Sequence, residues 1–247
     1  VTYPVSKQLL SEFMHTFFGY GNMSSPYWFI GKEEGGGVNL EENFKRVLIW
    51  EKMGKLTTVD SIEYHQALGF SERELQKIQP TWTKLIQILL ELEEQNSLDT
   101  EARRQYQRHQ LGRRNSNHCT VELMPMASRS TGLWLWKDIF KDYFGITNRK
   151  DYFKEVVQQR MQSLNNMIIK YKPKLVLFYS TQADYIPHWK EIAGDADFKT
   201  EILSDKFSFH WTKNGNTMFV ITPHPTAHGI TANDFPTIGK FIKSRSC

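Results

Sequence analysis

Apolar positions along the chain follow two periods. Between Ser6 and Phe18, the residues Leu9, Leu10, Phe13, Met14, Phe17 and Phe18 recur at helical spacing, which predicts a helix with one buried stripe. Pro26-Tyr27-Trp28-Phe29-Ile30-Gly31 is a short apolar and aromatic run stopped by a glycine cluster, as expected of a strand buried on both faces. Helical spacing returns over 40–52, with Asn39 as N-cap and Glu41 and Glu42 in the first turn, where the helix dipole favours acids. Pro80 stands where proline favours a helix start. Behind it Trp82, Leu85, Ile86, Leu89 and Leu92 share one face. Residues 120–124 predict a strand ended by Pro125, and 151–171 predict the longest helix, with Phe153, Val157, Met161, Leu164, Ile168 and Tyr171 on its stripe. The runs 175–178 and 218–221 predict two more buried strands, the second ended by Pro223, and 236–243 a closing helix. The basic stretch 101–118 shows no clear period, and the aromatics Trp134, Trp136, Phe140, Tyr143 and Phe144 read as core packing at helical spacing.

Strands separated by helices predict an α/β fold with a mostly parallel sheet. Ligands of such sheets bind at the carboxyl ends of the strands. That rule selects the loops 31–37, 125–130, 180–184 and 223–229. No repeat or linker divides the 247 residues, so a single domain is expected over 1–247, with a basic insertion around 96–118.

Composition narrows the chemistry. With 40% hydrophobic and 23% charged residues the chain can bury a core, which excludes wholesale disorder. Two cysteines, Cys119 and Cys247, exclude a disulfide scaffold and an iron–sulfur cluster held within one chain, and disfavour a cysteine-rich zinc site. No apolar run approaches the ~20 residues that span a bilayer. The opening residues carry no basic segment ahead of an apolar stretch, so no signal peptide, no membrane association and a cytoplasmic setting are expected. The net charge is +4. Arg103, Arg104, Arg108, Arg113 and Arg114 stand with a single acid, Glu101, between 101 and 118, so this stretch alone carries the whole excess. It reads either as a polyanion-binding stripe or as a solvated loop.

Two of the four loops carry unusual residues. Gly31-Lys32-Glu33-Glu34-Gly35-Gly36-Gly37 offers paired carboxylates and a backbone open to close approach. It lacks the Gly-Lys-Ser/Thr ending of a phosphate-binding P-loop. Thr222-Pro223-His224-Pro225-Thr226-Ala227-His228-Gly229 holds a histidine between two prolines, pre-aimed at a polar or anionic group. A His-x-x-x-His metal pair is a weaker reading, because Pro225 and Gly229 oppose the helix it needs.

Together these loops resemble the uracil-DNA glycosylase superfamily. Its first strand ends in a Gly-x-Asp/Asn-Pro-Gly/Tyr-type loop, matched here by Gly31-Lys32-Glu33-Glu34-Gly35, and a late strand ends in His-Pro-Ser/Thr, matched by His224-Pro225-Thr226. The resemblance implies a three-layer α/β/α fold with a short, mostly parallel central sheet. It implies a cofactor-free, metal-free DNA glycosylase acting on a flipped base. Glu33 falls at the position of the acid that orients the attacking water, and His224 at that of the histidine that steadies the departing base. Gly31, Lys32, Glu34, Gly35 and Glu122 would line the base pocket. Arg113, Arg114, Ser128, Arg129, Ser130, Thr226 and His228 would contact DNA.

Two departures bear on the substrate. Glu34 replaces the family's usual proline, and Glu122 stands about where many members read the base with asparagine. An ionised carboxylate accepts hydrogen bonds and donates none, so it suits an amino-bearing base edge better than uracil. A modified or cytosine-like base is therefore expected, and attack on modified viral DNA is one setting for it. Two alternatives stay open: a non-catalytic binder of modified DNA, and a hydrolase of free nucleosides or nucleotides.

Overall fold

A computed structural model describes residues 2–128, 132, 134–205 and 207–245. One eight-stranded sheet runs through it. Its centre is four parallel strands, β2 (Tyr27–Glu33), β4 (His118–Met124), β5 (Leu175–Phe178) and β8 (Thr217–Ile221), lying side by side in the order β4-β2-β5-β8. Beyond β4 come the short β1 (Gly19–Gly21), antiparallel to it, and β3 (Thr58–Val59). Beyond β8 lies an antiparallel hairpin of β7 (Phe207–Asn214) and β6 (Lys199–Ser204). The sheet is thus longer and more mixed than the short, mostly parallel one expected. The added strands are either too brief to show a period or too polar on one side to read as apolar runs.

Side chains of the central strands alternate between two cores. Trp28 and Ile30 join Val176 and Phe178 in one, against α1 (Lys7–Thr16), α2 (Leu40–Lys52), α7 (Lys137–Phe144), α8 (Arg149–Tyr171) and α9 (Ile186–Ile192). Phe29 joins Leu175 and Leu177 in the other, against α5 (Pro80–Leu92), α6 (Thr100–His109) and α10 (Asp234–Arg245). The aromatics around α7 pack into the first core, with Phe140 edge-on to Tyr152 at 5.0 Å. Two short helices, α3 (Ser61–Ala67) and α4 (Glu72–Leu75), complete the elements. No helix among the described residues is long and apolar enough to cross a membrane.

Part of the basic stretch is helical. Asp99 caps α6 by accepting from the amides of Glu101 and Ala102, and Tyr106 anchors it in the second core. One buried cation links several elements. Arg160 of α8 is fully buried, and its guanidinium sits 3.8 Å from the Phe18 ring centroid. It donates to the carbonyls of Met14 (2.5 Å), Phe17 (2.9 Å), Glu122 (2.8 Å) and Leu123. Burial holds its pKa down at about 9, and no carboxylate pairs with it among the described residues.

Candidate functional site

Chain direction gathers the candidate chemistry. From β2 the chain reaches β4 on one side and β5 on the other, so the sheet changes winding direction beside β2. Open α/β sheets leave a crevice for ligands at the carboxyl ends of strands at such a point. Gly31, Lys32 and Glu33 end β2, Glu122 lies near the end of β4, Tyr179 follows β5, and His224 follows β8.

Gly31 lies opposite Glu122 in the register, and the Tyr179 amide donates to the Ile30 carbonyl on its other side. A side chain at 31 would collide with Glu122 Oε2 and the Tyr179 hydroxyl. Because glycine leaves this space empty, the neighbours meet above it, and the Tyr179 hydroxyl donates to Glu122 Oε1 at 2.7 Å. Oε2 is buried without a hydrogen-bond partner. Burial drives the Glu122 pKa up to about 8, against the pull of the Tyr179 bond and with help from Glu34 and Glu33.

Glu33 is engaged by Arg149, whose Nη2 contacts both carboxylate oxygens and whose Nη1 donates to Ser128 Oγ at 3.2 Å. Burial raises the Glu33 pKa, and Arg149 opposes the rise. Lys32 Nζ donates to Gln182 Oε1 at 2.9 Å and lies 5.7 Å from the Tyr185 ring centroid. Burial lowers its pKa, while Glu33 and Glu122 pull it upward.

His224 opens a turn in which the Ala227 amide donates to its carbonyl at 2.8 Å, with Pro225 in the position that favours proline. The Thr226 amide donates to Nδ1 at 3.3 Å, and Thr226 Oγ1 lies 2.9 Å from the same atom. A backbone amide only donates, so Nδ1 is the acceptor and the neutral ring carries its proton on Nε2. Burial, then the charge of Lys32, lowers the His224 pKa and favours that neutral form. The ring centroid is 6.1 Å from that of Tyr179. The far side of the loop is tied to α5, since Lys84 donates to the Thr231 carbonyl (2.6 Å) and Gln87 to the Ala232 carbonyl (3.2 Å).

Other expected site residues lie elsewhere. Glu34 is paired on the side of α2 and α3. It accepts from Arg46 Nη1 (2.8 Å) and the Tyr20 hydroxyl (2.6 Å), with His65 Nε2 3.7 Å away. It is a strut to α2 and α3. Gly36 and Gly37 serve the same packing: a side chain at Gly36 would strike Arg46, and one at Gly37, whose φ is +67°, would strike Asn43 and the Ala127 carbonyl. Gly35 is exposed in open space.

Arg113 and Arg114 precede β4 and so lie toward its amino end, the end away from Glu33 and His224. Arg113 pairs with Asp60 at 2.7 Å and Arg114 with Glu63 at 3.1 Å. The structure therefore does not bring these two expected DNA contacts together with Glu33 and His224. Ser128 lies at the rim: its amide donates to the Glu34 carbonyl at 3.0 Å. Thr226 and His228 are exposed on the histidine loop. Arg129 and Ser130 lie outside the described residues.

Sequence reasoning missed Arg149. One signal was present: it is the first residue of α8 behind the Asn148 cap, where the helix dipole disfavours a cation. Among the described residues, no group of three or more histidine, cysteine, aspartate or glutamate side chains is placed to hold a metal ion. Comparison of the chain with known protein families, with curated proteins and with solved structures gave no match.

Proposed function

We propose that the protein is a DNA glycosylase that hydrolyses the N-glycosidic bond of a base flipped onto the carboxyl-end surface of β2, β4, β5 and β8. The observation that carries this reading is that Glu33 and a neutral, Nε2-protonated His224 both reach that surface. The charge of Lys32 acts on both, lowering the pKa of each. The two cores on the faces of the sheet suit a three-layer α/β/α arrangement.

Glycosidic cleavage places positive charge on the sugar and negative charge on the base. Glu33 steadies the sugar and orients water, and Arg149 fixes the direction of its carboxylate. His224 donates from Nε2 to the departing base, where a fixed dipole acts without reorganisation. Flipping costs a few kcal/mol, least in single-stranded or damaged DNA. Lys32, Thr226 and His228 offset it through phosphate contacts.

The test is mass spectrometry of bases released from duplex and single-stranded DNA carrying natural and modified pyrimidines. Expected are free base and an abasic site, with His224→Ala slower by about 10²–10³-fold. No release from any substrate by folded protein overturns the reading.

The close Arg149–Glu33 pair favours one rival, a binder of modified DNA with the carboxylate fully committed to structure. Tight binding without turnover, unchanged in Glu33→Gln, would establish it.

A further inference from the structure

Three carboxyls crowd the ends of β2 and β4, and they are partnered differently. Glu33 has Arg149 and Glu34 has Arg46. Glu122 makes no ion pair among the described residues, and a phenol is its one side-chain hydrogen-bond partner there. The Tyr179 hydroxyl donates to Oε1, which leaves Oε2 as the oxygen on which a carboxyl proton would sit. Oε2 lies in the space that a side chain at 31 would occupy, so the acid group is held against the strand and not in bulk water.

We propose that Glu122, positioned by Tyr179 over Gly31, is a general acid that protonates the ring nitrogen of a cytosine-class base, a pyrimidine whose exocyclic amine flanks an unprotonated nitrogen. This inference rests on the glycosylase reading and names its substrate class. The amine donates to the free lone pair of Oε1 while the ring nitrogen faces Oε2. As the C1′–N1 bond breaks, its electron pair goes to N1 and the Oε2 proton passes to the ring nitrogen. The base therefore leaves neutral instead of as an anion, and Glu122 becomes a carboxylate. Water bonds to C1′ and gives its proton to solvent, from which Glu122 is recharged. The corresponding ring nitrogen of uracil already carries hydrogen and cannot accept this proton.

Several charged or titratable groups face the pair. Lys32, Glu33 and Glu34 come from β2 and its loop, and Tyr179 from the end of β5. Tyr185 precedes α9, Arg160 reaches from α8, and His224 stands across Tyr179. Glu122 is held up at about 8 while Arg46 holds Glu34 down, so ionisation of Glu122 sets the alkaline limb of activity.

The experiment measures single-turnover base release between pH 5 and 9. The substrates are oligonucleotides with one cytosine, one 5-hydroxymethylcytosine or one uracil. Expected is release of an amine-bearing base, with a rate falling about tenfold per pH unit once Glu122 ionises. Glu122→Gln should slow that release about 10²–10⁴-fold and remove the alkaline limb. It should also gain uracil release, because an amide donates as well as accepts. Tyr179→Phe removes a bond that favours the carboxylate, so its alkaline limb should move to higher pH, and thermal unfolding of both variants checks that they fold. Wild-type release of uracil with both cytosines intact overturns this inference and leaves the glycosylase reading standing. So does a Glu122→Gln enzyme with unchanged rate and pH profile. Release of no base from any substrate overturns both.

Discussion

Glu33, Glu34 and Glu122 lie within a few residues of two strand ends, yet each meets a different electrostatic setting. Burial pushes all three pKa values upward. For Glu34 the charge of Arg46, with the His65 and Tyr20 bonds, outweighs burial and holds the group down at about 2. A carboxyl with a depressed folded pKa adds stability above its unfolded value, here 4.5, and loses it as pH falls toward 2. Glu34→Gln should therefore lose about 3 kcal/mol at pH 7 in urea unfolding, the lower end for a broken buried pair, since Glu42 still holds Arg46 at 2.8 Å. The gap between wild type and variant should shrink at pH 3. At Gly31, alanine should displace Glu122 from Tyr179, which base release would register as a large loss. The accompanying cost in stability should be about 1–3 kcal/mol.

The elements that sequence alone reveals are those whose burial is one-sided and long, or complete. The run at 27–31 and the stripe of α8 are of this kind, and both appear where apolar spacing puts them. Strands β1 and β3 have three and two residues, too few to express a period. Helix α6 shows little because Tyr106 and Gln107 are its only buried residues; a cap and the Gln105–Glu101 contact at 2.6 Å support it instead. Strand β7 and its hairpin with β8 did carry a signal. Phe207, Phe209 and Trp211 alternate with polar residues ahead of Asn214-Gly215, a turn dipeptide, and all three aromatics are buried. Glu33 and His224 stood out because a strand end with unusual residues is visible locally. Arg149, 116 positions from Glu33, becomes its partner only through folding. Within α8, Arg160→Met should cost about 3–5 kcal/mol in denaturant unfolding, because carbonyls on α1 and β4 lose a buried charged donor together. Lysine should not rescue it, since one ammonium cannot reproduce the guanidinium fork.

At the scale of the molecule, positive charge lies at both ends of the central strands, and the two ends make different predictions. Arg113 and Arg114, toward the amino end, are already paired with acids. Replacing both with alanine should lower stability by about 1 kcal/mol and leave the salt dependence of DNA binding unchanged. Lys32→Ala, at the carboxyl end, should reduce the slope of log K against log salt by about one. Fluorescence anisotropy from 50 to 200 mM salt makes the comparison. Helix α8 connects this surface to the interior. Its first residue holds Glu33, and Arg160, about 16 Å along the axis, is bolted to four carbonyls beneath the sheet. A rod pinned near its midpoint can pivot but cannot slide. Any adjustment of Arg149 must therefore be a small swing or a bend of the first three turns, with the carboxyl end of β4 gripped at the fulcrum.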